Sequence, residues 1–184
     1  MSDADKTETT PFWRFSLHFY RHAGVSDACI ALQDEYGVDV NVLLFLLWRA
    51  DEGRLLTADE VKTLDDKVRD WRNLTVVPIR TIRRKLKSAC TPIEPGQQEA
   101  FRTRIKAVEL EAERLQQQAL FALSQSGALG KKAEPHVAAH GNVCAYEHIL
   151  GATFPRDAVN TLLGAFNSIA HGERSNAPSG AERG

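Results

Sequence analysis

Gly37-Val-Asp-Val-Asn-Val-Leu-Leu-Phe-Leu-Leu-Trp-Arg-Ala50 is the stretch that decides how this chain folds. Its apolar run, Val42 to Trp48, fits a buried strand or a buried helix, because unbroken hydrophobicity carries no period. Leu43, Leu44, Leu46 and Leu47 favour the helix, as do the helical patterns on either side. Gly37 fits the position just past a preceding helix. Asp39 can cap the next one, with a body over Val40–Ala50. A helix apolar nearly all round belongs at the centre of a domain. At 7 residues, the run is far shorter than the roughly 20 that span a bilayer.

Upstream, Pro11 stands where a helix N1 proline would. Phe12–His22 carries two adjoining apolar stripes at helical spacing, Phe12/Phe15/Phe19 and Trp13/Leu17/Tyr20, with Arg14, His18, Arg21 and His22 opposite. Gly24 breaks this helix, and Ser26 or Asp27 can cap the next, whose buried face is Val25, Ala28, Cys29, Leu32 and Tyr36. Downstream, Thr57-Ala-Asp-Glu60 reads as a capping box, with Leu56 and Val61 as its hydrophobic staple. Val61, Leu64, Val68 and Trp71 form the stripe of that fourth helix. Asn73–Pro78, β-branched and proline-terminated, predicts a break or kink. A fifth helix runs to about Ala89, burying Ile79, Ile82 and Leu86. Gln97–Gln125 is the longest helical pattern, with Phe101, Ile105, Val108, Ala112, Leu115, Ala119 and Ala122 as its expected buried stripe in a bundle. Gly127–Pro135 reads as a loop, and Asn142–Leu150 and Pro155–Ala170 as short terminal helices.

The expected architecture is all-α, an irregular or orthogonal bundle of five to seven helices. Residues 1–10 are expected to be a flexible lead, 11–170 a single helical domain, and 171–184 a disordered tail. A length of 184 residues suits one domain with a core large enough to need no staples. Net charge is −1, so any electrostatic specialisation must be local. Cys29, Cys90 and Cys144 are odd in number, widely spaced and in no CxxC, which fits a reducing compartment. The polar start lacks a signal-peptide pattern, so a cytoplasmic location and no membrane association are expected.

Several segments together resemble a known family: Phe12-Trp-Arg-Phe-Ser16, Cys29-Ile-Ala-Leu-Gln33, Gly37–Leu44, Trp48, Trp71, Val76-Val-Pro-Ile-Arg80 and Lys106–Glu113. The chain is similar, over about residues 11–120, to a proteobacterial family of small conserved hypothetical proteins that carry a domain of unknown function. The resemblance implies a bacterial cytoplasmic helical domain and implies no activity.

Four groups of residues are candidates for chemistry. Between Lys67 and Lys87 stand eight cations against the single acid Asp70. Arg80, Arg83, Arg84 and Lys87 share one helical face that could follow phosphates or nucleic acid, unless acids elsewhere neutralise it. Glu109 and Glu113 stand one turn apart and could hold a metal or move protons. The plainer alternative is a salt-bridged face, with Lys106 and Arg114 as partners. Trp13, His18, Asp34, Asp39 and Asn41 could line a small pocket with aromatic walls; capping is the simpler role for Asp39 and Asn41. His136, His140, Cys144 and His148 are spaced by four, so adjacent pairs could chelate zinc. All four could not close a tetrahedron on one straight helix, and Pro135 and Gly141 argue against an unbroken helix there.

No phosphate-binding loop, dinucleotide turn, nucleophile elbow or paired CxxC is present. No catalytic residue and no cofactor is therefore assigned. The leading expectation is a non-catalytic interaction or regulatory module that binds a protein partner through its aromatic first helix or its long sixth helix. The competitors are a nucleic-acid or phosphate binder using Arg80–Lys87, and an enzyme with a small pocket at the first and third helices.

Overall fold

The computed structural model describes residues 10–88, 92–127 and 129–175. The helices are α1 (Pro11–Phe19), α2 (Val25–Tyr36), α3 (Val40–Asp51), α4 (Ala58–Trp71), α5 (Val77–Lys85), α6 (Pro95–Gln125), α7 (Pro135–Leu150) and α8 (Arg156–Ser175). A π-helical segment, Arg72–Val76, joins α4 to α5 without interruption. The chain is an all-α bundle. Its one piece of sheet among the described residues is a ribbon of two short antiparallel strands, β1 (Arg54–Leu55) and β2 (Lys131–Lys132).

The central stretch is a helix. Asp39 caps α3 by accepting the Asn41 N–H on Oδ1 at 2.9 Å. Asn41 through Ala50 are all buried. Complete burial of one leucine side chain is worth roughly 1.5–3 kcal/mol, and this helix carries four. α7 lies along α3, with α1, α4 and α6 around the remainder. Phe12 and Phe45 meet edge to face on the buried side of α1, with Trp48 stacked on Phe12. Gly37 ends α2 at φ +68°, a left-handed turn that a side chain resists.

Several local expectations change. The expected caps Ser26 and Asp27 lie inside α2, which begins at Gly24 with no side-chain cap. The break foreseen at Asn73–Pro78 is the π-helical turn. Pro78 has no N–H to donate, and the widened turn just before it relieves the contact of its ring with the preceding turn. α5 ends at Lys85 and residues 86–88 form a turn, short of the Ala89 expected as its end, which lies outside the described residues. Ile82 is exposed rather than buried. α7 begins at Pro135, its N1 residue, and passes through Gly141 unbroken. A Cβ at Gly141 would collide with the side chain of Leu55, so this glycine lets β1 approach the helix. α8 runs to Ser175, into the segment expected as tail; of the expected lead 1–10, Thr10 caps α1 and residues 1–9 lie outside the described residues, as do Cys90 and residues 176–184. No helix among the described residues is long and apolar enough to cross a membrane.

Candidate functional site

The polar residues that flank the central helix build one buried network. Asp39 Oδ2 accepts from Arg72 Nη1 at 2.9 Å and from Gln116 Nε2 at 2.5 Å. The Asp39 N–H donates to the Tyr146 hydroxyl at 2.9 Å. Arg72 also donates to Asp65 Oδ1 at 2.7 Å. α3, the π-helical turn and α6 therefore meet at the Asp39 carboxylate, with α7 bound to the Asp39 N–H and α4 joined through Arg72. Burial alone would lower the Arg72 pKa, but Asp65 and Asp39 outweigh it and the guanidinium is held charged. Burial first, and then the charges of Asp39 and Asp65, push the Tyr146 hydroxyl well above its ordinary pKa, so it stays protonated. A second chain of bonds runs beside the first. Ser16 Oγ donates to Gln117 Oε1, and Gln117 Nε2 donates to Asn41 Oδ1, both at 2.9 Å. Every charge in this network has an opposite partner beside it, as a structural clamp requires.

Above Asn41 lies a shallow groove of about 200 Å³, walled by Trp13, Leu17, Leu44 and Leu110. It continues past Tyr20 and Glu113 into a wider depression of about 400 Å³ between α2, α5 and α6. The structure thus brings Trp13 and Asn41 together and separates the rest of the expected pocket. His18 is exposed and its ring packs against His22. Asp34 is exposed on α2, where it pairs with Arg84 at 2.9 Å. Asp39 is buried beneath the groove as a cap and as the partner of Arg72.

The basic stripe is largely neutralised. Arg80 donates to Glu109 at 3.0 Å and to Glu113 at 2.6 Å, and Arg83 holds Glu109 from its other side. Arg84 is bound to Asp34, while Lys87 is exposed with no ion partner among the described residues. The acids one turn apart on α6 therefore face α5. They do not face Lys106 and Arg114, and Arg114 pairs with Glu111 instead. Burial would raise the Glu109 pKa, but Arg83 and Arg80 bring it below the ordinary glutamate value. Burial outweighs Arg80 at Glu113 and raises that pKa. His136, His140, Cys144 and His148 all lie exposed along α7, where Cys144 Sγ and His140 Nδ1 are 3.7 Å apart. No three metal-ligating side chains converge among the described residues.

The long helix holds the largest surprise. Glu109, Gln116, Gln117 and Ser124 are on its buried side, with Ala112 and Leu120. The stripe expected to be buried points outward: Phe101, Val108 and Leu115 are 45%, 52% and 39% exposed. Ala119 and Ala122 are exposed too. Ala112 alone in the row is covered, with the Trp71 indole donating to its carbonyl at 2.9 Å. On the neighbouring rod Trp71, Leu74, Val77 and Ile82 are also exposed. On α1, Phe12 and Phe19 are fully buried in the core, while Trp13 and Tyr20 are half-buried and Leu17 is exposed along the groove.

A family model described as a protein of unknown function, DUF2390, matches residues 11–120. The chain belongs to that family. The DUF2390 span contains Ser16, Asp39, Asn41, Asp65, Arg72, Gln116 and Gln117, hence nearly the whole network, together with the outward stripe as far as Leu115. Tyr146, which completes the network, and the helices α7 and α8 lie beyond the match. No curated protein and no solved structure matches the chain.

Sequence reasoning reached Asp39 and Asn41 but missed their partners. Asp65, Arg72, Gln116 and Gln117 look like surface residues, because their neighbours in the chain are charged or polar. Asn142 was missed as well. It is buried, donates to the Leu46 and Arg54 carbonyls at 2.9 and 3.0 Å, and accepts the Leu56 N–H at 2.8 Å. It ties α3, β1 and the start of α4 to α7. A polar residue between the apolar Ala139, Val143 and Tyr146 is the one signal that could have found it.

Proposed function

We propose that this chain is a non-catalytic helical interaction module that binds a protein partner through the outer face of α5 and α6. One observation carries the reading. Before Leu120, which is buried, the longest helix turns Glu109, Gln116 and Gln117 inward and Phe101, Val108, Leu110 and Leu115 outward. Contiguous exposed apolar surface of this kind marks interaction sites. The heptad-spaced row Phe101, Ile105, Val108, Ala112, Leu115 is the pattern with which one helix receives another. The two competing readings have less support. The cations Arg80, Arg83 and Arg84 are already occupied by Glu109, Glu113 and Asp34. At the shallow groove by Trp13, the acid Glu113 is already paired with Arg80 and the Ser16 hydroxyl with Gln117.

The test is co-purification with the tagged chain from its own cells, comparing wild type with Val108→Glu. Val108 is half exposed, so the variant should keep its helical circular dichroism and its thermal midpoint. The partner recovered with wild type should be lost with the variant. Recovery of the same proteins in the same amounts would refute the assignment of this face.

A further inference from the structure

We infer that the α6 seam pairs with a second copy of this chain, antiparallel, in one register fixed by charge. This deepens the preceding reading and rests on it, because it names the partner of the same face. With Ile105 and Ala112 as the a positions of a heptad, Phe101, Val108 and Leu115 fall at d. The two flanks of this seam differ. On the e side, Glu109 and Gln116 are buried against the chain's own α5 and α3. On the g side, Gln97, Arg104 and Glu111 are exposed and Gln118 is half-buried. Parallel pairing would set each g residue against an e residue that is already engaged within its own fold. Antiparallel pairing sets g against g on one flank, so the two open charged flanks meet, and sets the e residues, each bound within its own fold, against each other on the other flank.

Helical spacing then selects the register. When Ile105 lies opposite Val108 of the second copy, Phe101 lies opposite Ala112 and its covering Trp71. Arg104 then meets Glu111, and Gln97 meets Gln118, each pair occurring twice by symmetry. Sliding by one heptad in either direction places Glu111 against Glu111 or Arg104 against Arg104. Opposite flanking charges favour a pairing and like charges exclude it. Arg104 and Glu111 are free to take this role. The Arg104 guanidinium rests on the Phe101 ring, and Glu111 makes an exposed i, i+3 pair with Arg114, a contact of little strength. Facing rows of α6, each edged by the Trp71 that covers Ala112, form the interface, with both bodies on its e flank.

The experiment is mass by light scattering across a concentration series of the full chain, with Arg104→Glu, Glu111→Arg and the double reversal. Wild type should reach twice the monomer mass. Each single reversal should weaken the dimer by about tenfold or more, and the double reversal should restore it to within a fewfold. Both residues are exposed, and unchanged circular dichroism verifies folding. A wild type that stays monomeric at every concentration overturns the proposal. So does a dimer indifferent to the single reversals, or one the double reversal fails to restore. Loss of a different protein on Val108→Glu, with the chain itself monomeric, would sink the self-pairing and leave the interaction module standing.

Discussion

Replacing Asp39 by alanine tests the network at its hub. The carboxylate has three tasks. It caps α3 through Asn41 N, and losing such a cap costs about 1 kcal/mol. It accepts from Gln116 Nε2, which would be left buried without an acceptor, at roughly 1–3 kcal/mol. It faces Arg72, and removing one partner of a buried ion pair costs about 3–5 kcal/mol. Arg72 keeps Asp65 and its side chain is 19% exposed, so the last figure falls to about 1–2 kcal/mol. The terms share one site and are not additive, so a total of about 3–5 kcal/mol is expected. Asp39→Asn keeps one oxygen, which can serve the cap at Oδ1 or Gln116 and Arg72 at Oδ2 but not both, and its amide then faces a donor at the other place, so it should cost nearly as much as Asp39→Ala. Urea unfolding, with the midpoint and slope fitted for both variants, reads the difference directly. An Asp39→Ala stability within about 1 kcal/mol of wild type, or an Asn variant as stable as wild type, would show that the carboxylate is not the hub.

Four further outcomes follow from the same geometry. Asn142→Ala orphans three buried backbone groups and should cost about 3 kcal/mol in urea unfolding; a loss under about 1 kcal/mol would contradict the tie between α3, β1 and α7. Glu109 has a depressed carboxyl pKa in the fold, so its contribution is complete above the unfolded value of about 4.3 and vanishes as pH falls through the folded value. Glu109→Gln should therefore flatten the stability profile below about pH 4.3, and a slope unchanged from wild type counts against the Arg80–Glu109–Arg83 clamp. Burial pushes the Cys29 thiol up to about 12, so a thiol reagent near neutral pH should label exposed Cys144 at once and Cys29 only on unfolding; prompt labelling of Cys29 would mean that α2 opens locally. The chain should elute from heparin at low salt, unchanged by Arg80→Gln; strong retention lost on replacing Arg83 and Arg84 by Glu would revive the nucleic-acid reading.

The core was legible because its signals are local. Four leucines between Asp39 and Arg49, a capping box at Thr57–Glu60 and a proline at the first turn of α1 each act within one turn of helix. The structure bears each of them out. What was not legible lies between elements far apart in sequence. Asp39 and Gln116 are separated by 77 residues, and Asp39 and Tyr146 by 107. No period within α6 reveals that Gln116 will meet a buried carboxylate. The candidate site fared accordingly: Trp13 and Asn41 share a groove, Asp39 lies beneath it, and His18 and Asp34 face elsewhere. The π-helical turn was hidden for a different reason. β-branched residues and a proline disfavour a regular helix, but whether the chain breaks or widens depends on what holds the two rods in line. Here Asp39 and Asp65 on one side of Arg72, with Glu109 and Glu113 around Arg80, keep α4 and α5 on a common path.

Heptad spacing states that Phe101, Ile105, Val108, Ala112 and Leu115 share a face; it does not state which way that face turns. In a bundle built by hydrophobic burial alone the row would point inward. Leu120 and Phe121 dock the end of α6 in the core, but before them α6 is held by hydrogen bonds and ion pairs to Asp39, Asn41, Ser16, Arg80 and Arg83. Such contacts demand one orientation, because rotating the helix would leave Glu109 and Gln116 buried without partners or strand Arg80 and Arg83. They contribute less net stability than apolar packing of the same size. A chain selected for stability alone would gain by turning Val108 and Leu115 inward and the glutamines out. On the proposal above, α6 is held the other way because its outer row meets a second copy, and the mirrored signs of Arg104 and Glu111 on the open flank suit a surface that meets itself.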